Sequence, residues 1–331
     1  MSNRTRSASS SSSSPPAKRQ KITVAPFAAA FPRRTLLSSS RWVNKVPHDI
    51  WVHQILHPFL GLKGLATVGR CNTFFEEYWQ YVLKQNVIRV PEGCPTINQA
   101  MELAVVFSER NECTRENSIR VEVGEGEHVI VSGLFGLLLS CSNITIVGKG
   151  KGKTTILGGF NVKNQQHVTF EALSITNRRG HGMYCEGGKT NVDVLECVVK
   201  ECGSTGMFVS HGATVAATHC EFMDNGGNGV FCNGANTKAR LNDCTMHHNG
   251  RNGLSVCNDA VVDLQGTKTD IHSNKEEGVL AYDNAKVNIH LPSQHNTSHD
   301  NVKGDRVTQF GGSIANINAD GTFTHVPAPV E

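Results

Sequence analysis

The sequence is poor in aromatic residues, in charge and in long apolar runs. Aromatic side chains make up 6% of the 331 residues and charged side chains 18%. An α-helical globule normally carries more charge, which disfavours that class. No run approaches the roughly 20 apolar residues that a membrane helix needs, and the N-terminus lacks the apolar core of a secretory signal. We therefore expect no membrane span and a protein that is not secreted.

The 11 cysteines contain no Cys-x-x-Cys pair. Structural zinc sites commonly use such pairs, so we predict no metal centre and no cofactor. In a chain that stays in a reducing compartment, cysteines are expected to be small buried apolar residues rather than disulfide partners. The glycosylation sequons at Asn143 and Asn296 are then chance matches.

Basic charge is concentrated at the N-terminus. Residues 1–45 hold nine Lys and Arg and no acidic residue, which leaves the rest of the chain mildly acidic. A nucleic-acid-binding fold would be expected to carry its basic patch on the folded part. We therefore expect no direct nucleic-acid binding.

Residues 1–41 include a serine run at 9–14 and show no periodicity, which predicts a disordered basic tail. Within it, Lys18, Arg19 and Lys21 form a short basic cluster behind two prolines. This cluster resembles a nuclear localisation signal and implies a nuclear or cytoplasmic protein. A solubilising tail and an organelle transit peptide remain the alternatives.

Residues 42–88 are the most aromatic and most helical part of the sequence, and their apolar spacing predicts three short helices. A segment of this size buries little surface by itself, so we expect it to need a partner or a neighbouring domain.

This segment resembles an F-box. It opens with Val-Pro-x-Asp-Ile at residues 46–50, and later apolar positions match the helices of that family. The resemblance implies docking on a Skp-type adaptor of a cullin-based SCF ubiquitin ligase. The residues that the resemblance assigns to this docking face are Pro47, Ile50, Ile55, Leu56, Leu60, Leu65 and Val68. The alternative is a helical cap that packs on the next domain.

A glycine-centred repeat runs through much of residues 89–325. A glycine followed by an apolar residue, with a small apolar residue three positions after the glycine, recurs every 23–25 residues. The repeat glycines are Gly182, Gly206, Gly229, Gly253 and Gly278.

Other positions recur in the same frame. A dipeptide rich in Gly, Asn and Asp follows each repeat glycine by five and six residues and indicates a turn. A column of small residues consists of Cys197, Cys220, Cys244 and Thr269, and an asparagine column consists of Asn225, Asn249 and Asn274. We expect the asparagines to bond to the backbone of the next repeat.

Three short apolar runs per repeat, each closed by Gly or Asn turns, predict the rungs of a right-handed parallel β-helix. The leucine pattern of a leucine-rich repeat is absent, and the turns are too dense for an α-solenoid. Residues 95–104 predict an amphipathic helix that caps the stack. Strands are predicted at 119–123, 144–148, 168–170 and 173–175.

The capping helix and the first rungs resemble the pectin-lyase-like superfamily, and the later repeats resemble its carbohydrate-binding and sugar-hydrolase (CASH) subset. The fold class is therefore mainly β: a right-handed parallel β-helix of eight or nine coils, preceded by a small trihelical domain and a disordered basic tail. Residues 326–331 form a short C-terminal tail.

Two classes of function compete. Together with the F-box resemblance, the β-helix implies a non-enzymatic adaptor that presents an unknown protein substrate to the ligase. The alternative is a protein that binds or modifies polysaccharide, as a lyase, hydrolase or epimerase. A β-helix scaffold without ligase association is a third possibility.

Few residues favour catalysis. His181 lies in a Gly-His-Gly segment that resembles part of the polygalacturonase pattern, but the other acidic and basic residues of that pattern are missing. Asp259 and Asp283 could bind calcium on adjacent turns, although turns favour these residues in any case. His247 and His272 share one phase of the repeat and could bind a metal together, although stacking on the surface is the simpler explanation. We therefore predict no catalytic residue.

Overall fold

The computed structural model describes residues 86–110, 113–131, 135–290, 297–318 and 320–325. The predicted basic tail, its nuclear signal, the F-box-like segment up to residue 85 and the tail at 326–331 lie outside this part of the chain. No helix among the described residues is long and apolar enough to span a membrane.

The chain forms three sheets in which strands pair in parallel, except for the last pair, β26 and β27. The first sheet contains β1 Val87–Val90, β2 Ile119–Val123, β5 Ile144–Val147, β8 Val168–Glu171, β11 Asn191–Leu195, β14 Thr214–Thr218, β17 Lys238–Asn242, β20 Val261–Gln265, β23 Lys286–His290, β26 Ser313–Ile317 and β27 Phe323–His325. The second contains β3 Gly126–Val129, β6 Thr154–Leu157, β9 Ser174–Thr176, β12 Val198–Lys200, β15 Glu221–Met223, β18 Thr245–His247, β21 Asp270–His272 and β24 Thr297–His299. The third contains β4 Leu137–Leu139, β7 Phe160–Lys163, β10 Met183–Glu186, β13 Met207–Ser210, β16 Val230–Asn233, β19 Leu254–Cys257, β22 Glu277–Ala281 and β25 Gly304–Thr308.

Each rung of the solenoid contributes one strand to each sheet. The second and third sheets have eight strands each, which gives eight rungs and agrees with the expected eight or nine. Successive rungs pair in register, so that Cys185 lies beside Val209 and Val209 beside Cys232. Alternate residues point into the core, as in β11, where Val192 and Val194 are buried between half-buried neighbours. The predicted parallel β-solenoid is therefore confirmed.

The predicted capping helix is present but longer than expected. Helix α1 spans Ile97–Arg110, and the backbone N–H of Gln99 donates to the Thr96 hydroxyl, which makes Thr96 its N-cap. Ala100 and Phe107 are fully buried. Because Phe107 adds a further turn to the apolar face, the helix continues past residue 104.

The strand predictions hold with small shifts. Strand β2 has the predicted bounds, whereas β5 ends one residue earlier than predicted, β8 ends one residue later and β9 is displaced by one residue. All the described cysteines carry free thiols, and all except Cys113 are buried. Burial raises the pKa of the Cys185 thiol to about 12. The interpretation of the cysteines as small core residues is confirmed.

The asparagine column is a buried hydrogen-bonded ladder. The backbone N–H of Asn225 donates to Asn249 Oδ1 at 3.2 Å, and the N–H of Asn249 donates to Asn274 Oδ1 at 3.1 Å. Each amide also donates backwards, as from Asn249 Nδ2 to the Phe222 carbonyl at 3.1 Å. The side chains therefore bond to the backbone of the preceding rung, whereas the sequence predicted the backbone of the next one. The amides also bond to each other, as from Asn249 Nδ2 to Asn274 Oδ1 at 2.9 Å. Asn301 extends the ladder by one rung.

The repeat glycines are required by close backbone contact between rungs. A Cβ atom on Gly206 would lie 2.7 Å from the Gly229 carbonyl oxygen, and one on Gly229 would lie 2.7 Å from the Gly253 carbonyl oxygen. These oxygens cannot move away, because the Met207 and Val230 N–H groups donate to them. Any side chain at these positions would push neighbouring rungs apart.

We predict that Gly229→Ala destabilises the solenoid, because crowding in a packed interior costs about 1–3 kcal/mol. Gly188→Ala is the matched control, since a Cβ there meets nothing within 4 Å and a compatible Gly→Ala change is neutral or slightly stabilising. Urea unfolding followed by circular dichroism measures both. Equal midpoints for the two variants would contradict the explanation by close contact.

Candidate functional site

An outward-facing column of aromatic side chains runs along the third sheet. Tyr184, Phe208 and Phe231 lie in register on β10, β13 and β16 and are half-buried. The ring centroids of Tyr184 and Phe208 are 5.1 Å apart with planes 16° from parallel, and Phe208 meets Phe231 at 5.1 Å in an edge-to-face contact. These three residues are called the aromatic ladder below.

The repeat itself places these rings. Each aromatic residue stands two positions after a repeat glycine, and an apolar residue between them points into the core. Because side chains alternate along a strand, the aromatic residue must face outward. Ring pairs of this geometry contribute about 0.5–1.5 kcal/mol each beyond the burial of area, so the ladder also stabilises the stack.

Further rings and apolar side chains extend the ladder at its N-terminal end. His181 lies 5.8 Å from Tyr184 and 5.2 Å from Phe208, centroid to centroid. Phe135 lies 5.8 Å from Tyr184 and is 57% exposed. Leu138 is 52% exposed and belongs to the same column, two rungs before Tyr184. Exposed large apolar residues therefore gather at this end of the sheet.

A polar column lies beside the ladder on the same sheet. In register it contains Lys163, Glu186, Ser210 and Asn233. The Glu186 carboxylate accepts from Lys163 Nζ at 2.8 Å and from the Tyr184 hydroxyl at 3.2 Å, and lies 4.0 Å from His211 Nδ1. The hydrogen bond from Lys163 raises the pKa of that ammonium. Burial, together with the nearby Glu186 charge, raises the pKa of Tyr184.

Two buried acceptor atoms stand at the N-terminal end of the ladder. Asn161 Oδ1 and His181 Nδ1 are shielded from solvent and have no hydrogen-bond partner within the described part of the chain. Asn161 precedes Tyr184 in the same column. Burial lowers the pKa of His181, although a hydrogen bond to the Thr205 backbone acts against the shift. A neutral imidazole and an unsatisfied amide oxygen can accept hydrogen bonds from a ligand.

The protonation states of these groups differ. The raised pKa values of Tyr184 and Lys163 keep both groups protonated at neutral pH, so that they can donate hydrogen bonds. The lowered pKa of His181 keeps its imidazole neutral, so that it can accept a hydrogen bond or a proton.

The other predicted candidates have structural roles or lie elsewhere. Asp259 and Asp283 occupy adjacent turns, where both have positive φ and the Asp259 N–H donates to the Asp283 carbonyl at 3.0 Å. His247 and His272 stack with centroids 4.9 Å apart. The described part of the chain does not include the predicted adaptor-docking residues Pro47, Ile50, Ile55, Leu56, Leu60, Leu65 and Val68 or the predicted import residues Lys18, Arg19 and Lys21.

A family model described as a right handed beta helix region matches residues 96–242. The described solenoid is a right-handed parallel β-helix.

No curated protein matches the chain. Among solved structures, the A-module of the Azotobacter vinelandii mannuronan C-5 epimerase AlgE4 is 17% identical, with 69% of this chain and 80% of that chain covered and a TM-score of 0.43. ORF18 of Geobacillus virus E2 is 13% identical over 74% of this chain and 63% of that chain, with a TM-score of 0.45.

A third solved structure similar to this chain is the pectate lyase Pel9A. It is 12% identical, with 59% of this chain and 68% of that chain covered and a TM-score of 0.36.

We predict that His181 makes the protein less stable as the pH falls. Its pKa in the folded state lies below the ordinary 6.5, so the unfolded chain takes up the proton first as the pH falls. The stability that the neutral His181 side chain contributes is therefore fully present above pH 6.5 and is lost as the pH falls below that value. His181→Phe keeps a ring beside Tyr184 and should therefore lose less stability on acidification than the wild type.

His219→Phe is the control for this measurement, because the His219 side chain is exposed and its Nε2 lies 3.3 Å from Asp243 Oδ2. Thermal unfolding at neutral and mildly acidic pH gives the comparison. If His181→Phe shows the same pH dependence as the wild type, burial does not depress the pKa of His181.

Proposed function

We propose that the β-helix is a non-enzymatic recognition domain that binds a partner protein along the aromatic ladder. Interfaces between proteins are enriched in Tyr and Phe, and such residues contribute most of the binding energy when a partner covers them. The ladder lies on rigid strands and is flanked by the hydrogen-bonding groups of the polar column. The observation that carries the proposal is the in-register contact of Tyr184, Phe208 and Phe231 on an outer face.

Ring orientation favours a protein over a sugar as the ligand. Two nearly parallel rings with centroids 5.1 Å apart stack on each other. Tyr184 and Phe208 therefore cover part of each other's faces. A sugar ring stacks best on an open aromatic face, whereas apolar side chains of a partner protein can pack against ring edges. The acceptors Asn161 Oδ1 and His181 Nδ1 would suit donors such as backbone N–H groups.

Within this proposal, the chain is the substrate receptor of an SCF-type ubiquitin ligase. The F-box-like segment, with Pro47 and Ile50 at its opening, would bind a Skp-type adaptor and through it a cullin. Binding of a substrate to the β-helix would then raise the local concentration of its lysines near the ligase. The basic cluster at Lys18, Arg19 and Lys21 would direct this receptor to the nucleus, with the cytoplasm or an organelle as the alternatives.

Two variants test the two halves of the proposal separately. Pro47→Ala combined with Ile50→Ala should abolish recovery of the Skp-type adaptor and the cullin, while capture of substrate remains. Phe208→Ser should weaken substrate capture by about tenfold or more, in line with loss of a buried aromatic anchor, while the adaptor is still recovered. Affinity purification with quantitative mass spectrometry, with and without proteasome inhibition, measures both.

Leu280→Ser is the matched control for Phe208→Ser. Leu280 belongs to the same outer column, three rungs further on, and lies beyond the aromatic ladder. Adaptor binding that survives the double variant would contradict the ligase assignment. Substrate capture that is equal in Phe208→Ser and Leu280→Ser would contradict the assignment of the ladder.

Carbohydrate binding is the second candidate, because Asn161 Oδ1 and His181 Nδ1 would equally accept hydrogen bonds from sugar hydroxyls. The epimerase and the pectate lyase named above act on polysaccharides, as their names state. Incubation with alginate or polygalacturonate, with absorbance of the unsaturated product and affinity electrophoresis as readouts, tests this candidate. Binding or cleavage that is lost in His181→Ala would replace the protein-binding proposal. A stable β-helix with neither adaptor nor glycan would indicate a scaffold.

A further inference from the structure

Three histidines form a second ladder on the second sheet, away from the aromatic ladder. His247, His272 and His299 are in register on β18, β21 and β24. The first two ring centroids are 4.9 Å apart with planes 3° from parallel, and the next two are 5.2 Å apart with planes 9° from parallel. This histidine ladder confirms the expected stacking of His247 on His272 and adds His299, which the repeat did not show.

All three rings are held in the same orientation. In each case Nδ1 faces the following residue: His247 faces His248 Nδ1 at 2.7 Å, His272 faces Ser273 Oγ at 3.1 Å and His299 faces Asp300 Oδ2 at 2.8 Å. On the other side, His247 Nε2 lies 2.9 Å from Glu221 Oε1, and His299 Nε2 lies 3.2 Å from Asp270 Oδ1. The residue that faces Nδ1 therefore differs from rung to rung.

The rung of His247 brings two imidazole nitrogens together. A carboxylate only accepts hydrogen bonds, so the proton of neutral His247 lies on Nε2, facing Glu221. Nδ1 of His247 then carries a lone pair, and His248 must donate from its own Nδ1. If His248 adopts its other tautomer, with the proton on Nε2, both Nδ1 atoms have lone pairs at a separation of 2.7 Å.

We propose that His247 Nδ1 and His248 Nδ1 form a binding site for a divalent transition-metal ion of the Zn²⁺, Ni²⁺ or Cu²⁺ class. Metal–nitrogen bonds of about 2.0–2.1 Å place two nitrogens about 2.9 Å apart at the right angle of tetragonal Cu²⁺ or Ni²⁺, and about 3.3 Å apart at the tetrahedral angle of Zn²⁺. The observed separation of 2.7 Å needs to open least for Cu²⁺ or Ni²⁺. This proposal differs from the sequence-based expectation that the chain has no metal centre.

The surroundings of His247 match those of a metal ligand. Metal-bound histidines commonly donate their second N–H to a carboxylate, which fixes the tautomer and increases the basicity of the ligating nitrogen. Glu221 has this position relative to His247. The outward residues on β15, β18 and β21 include Glu221 and Asp270 but no Lys or Arg, so the local charge favours a cation.

The other two rungs of the ladder do not offer the same pair. Ser273 and Asp300 replace His248 in the equivalent positions. The hydrogen bond to Asp300 raises the pKa of His299, so that this ring holds a proton more firmly than usual. No group of three or more His, Cys, Asp or Glu side chains in the described part of the chain is arranged to hold a metal ion. Water would therefore complete the coordination of a two-histidine site.

Titration of the full-length protein with ZnCl₂, NiCl₂ and CuCl₂ by isothermal calorimetry at neutral pH tests the site. The decisive variant is His248→Ser, which copies Ser273, a residue with the same φ of 55° on the next rung. We expect a single site in the wild type and an affinity that is about tenfold weaker or more in His248→Ser, because one of two protein ligands is lost. Circular dichroism verifies the fold of the variant.

His219→Ala is the matched control, because His219 is exposed and contacts a carboxylate but no second imidazole. It should bind the ions as the wild type does. Imidazole ¹⁵N NMR of the wild type, independent of any variant, should show metal-dependent shifts at His247 and His248 and none at His299. Unchanged affinity in His248→Ser, an equal loss in His219→Ala or no binding by the wild type would each overturn the proposal.

Discussion

In-register parallel hydrogen bonding between successive rungs is the constraint on which the rest of the structure depends. It places each residue directly above its equivalent one repeat earlier, at the spacing of neighbouring strands, about 4.8 Å. Outside the core, the aromatic centroids are 5.1 Å apart and the histidine centroids 4.9 Å and 5.2 Å apart. Each side chain in the repeat therefore lies close to the side chains at the equivalent positions of the preceding rung and the following rung, and must be compatible with both.

Inside the stack this constraint selects residues that are satisfied by their own copies. Asparagine meets it because its amide both donates and accepts, so that Asn249 bonds to the backbone of the rung before it while Asn274 does the same for Asn249. Cysteine meets it by being small and apolar. Glycine is needed where two backbones approach too closely for a Cβ, as at Gly229. An unsatisfied buried N–H at any of these positions would cost about 1–3 kcal/mol.

The sequence predicts most of this architecture because the same constraint makes it periodic. The repeat glycines, the buried cysteines and the asparagine column are visible as recurring letters. The aromatic ladder was missed although its signal lies in the same frame, two positions after Gly182, Gly206 and Gly229. His299 follows His272 by more than one regular repeat length, so periodicity did not reveal it. Phe107 extends α1 because the open end of the stack must be covered, a tertiary requirement that local periodicity does not contain.

Function is more readily located where the repeat is broken than where it is kept. Three equivalent histidines have three different environments, because the rung residues beside them change from His248 to Ser273 to Asp300. One ring therefore faces a second imidazole, one a hydroxyl and one a carboxylate, which gives one stacked column three different chemistries. The aromatic ladder follows the same logic: it ends after Phe231, where Ser255 takes the next position of the column. A perfectly repeated outer face would offer the same contact at every rung and would fix no position for a ligand, so the breaks in the repeat would define where the proposed binding starts and stops.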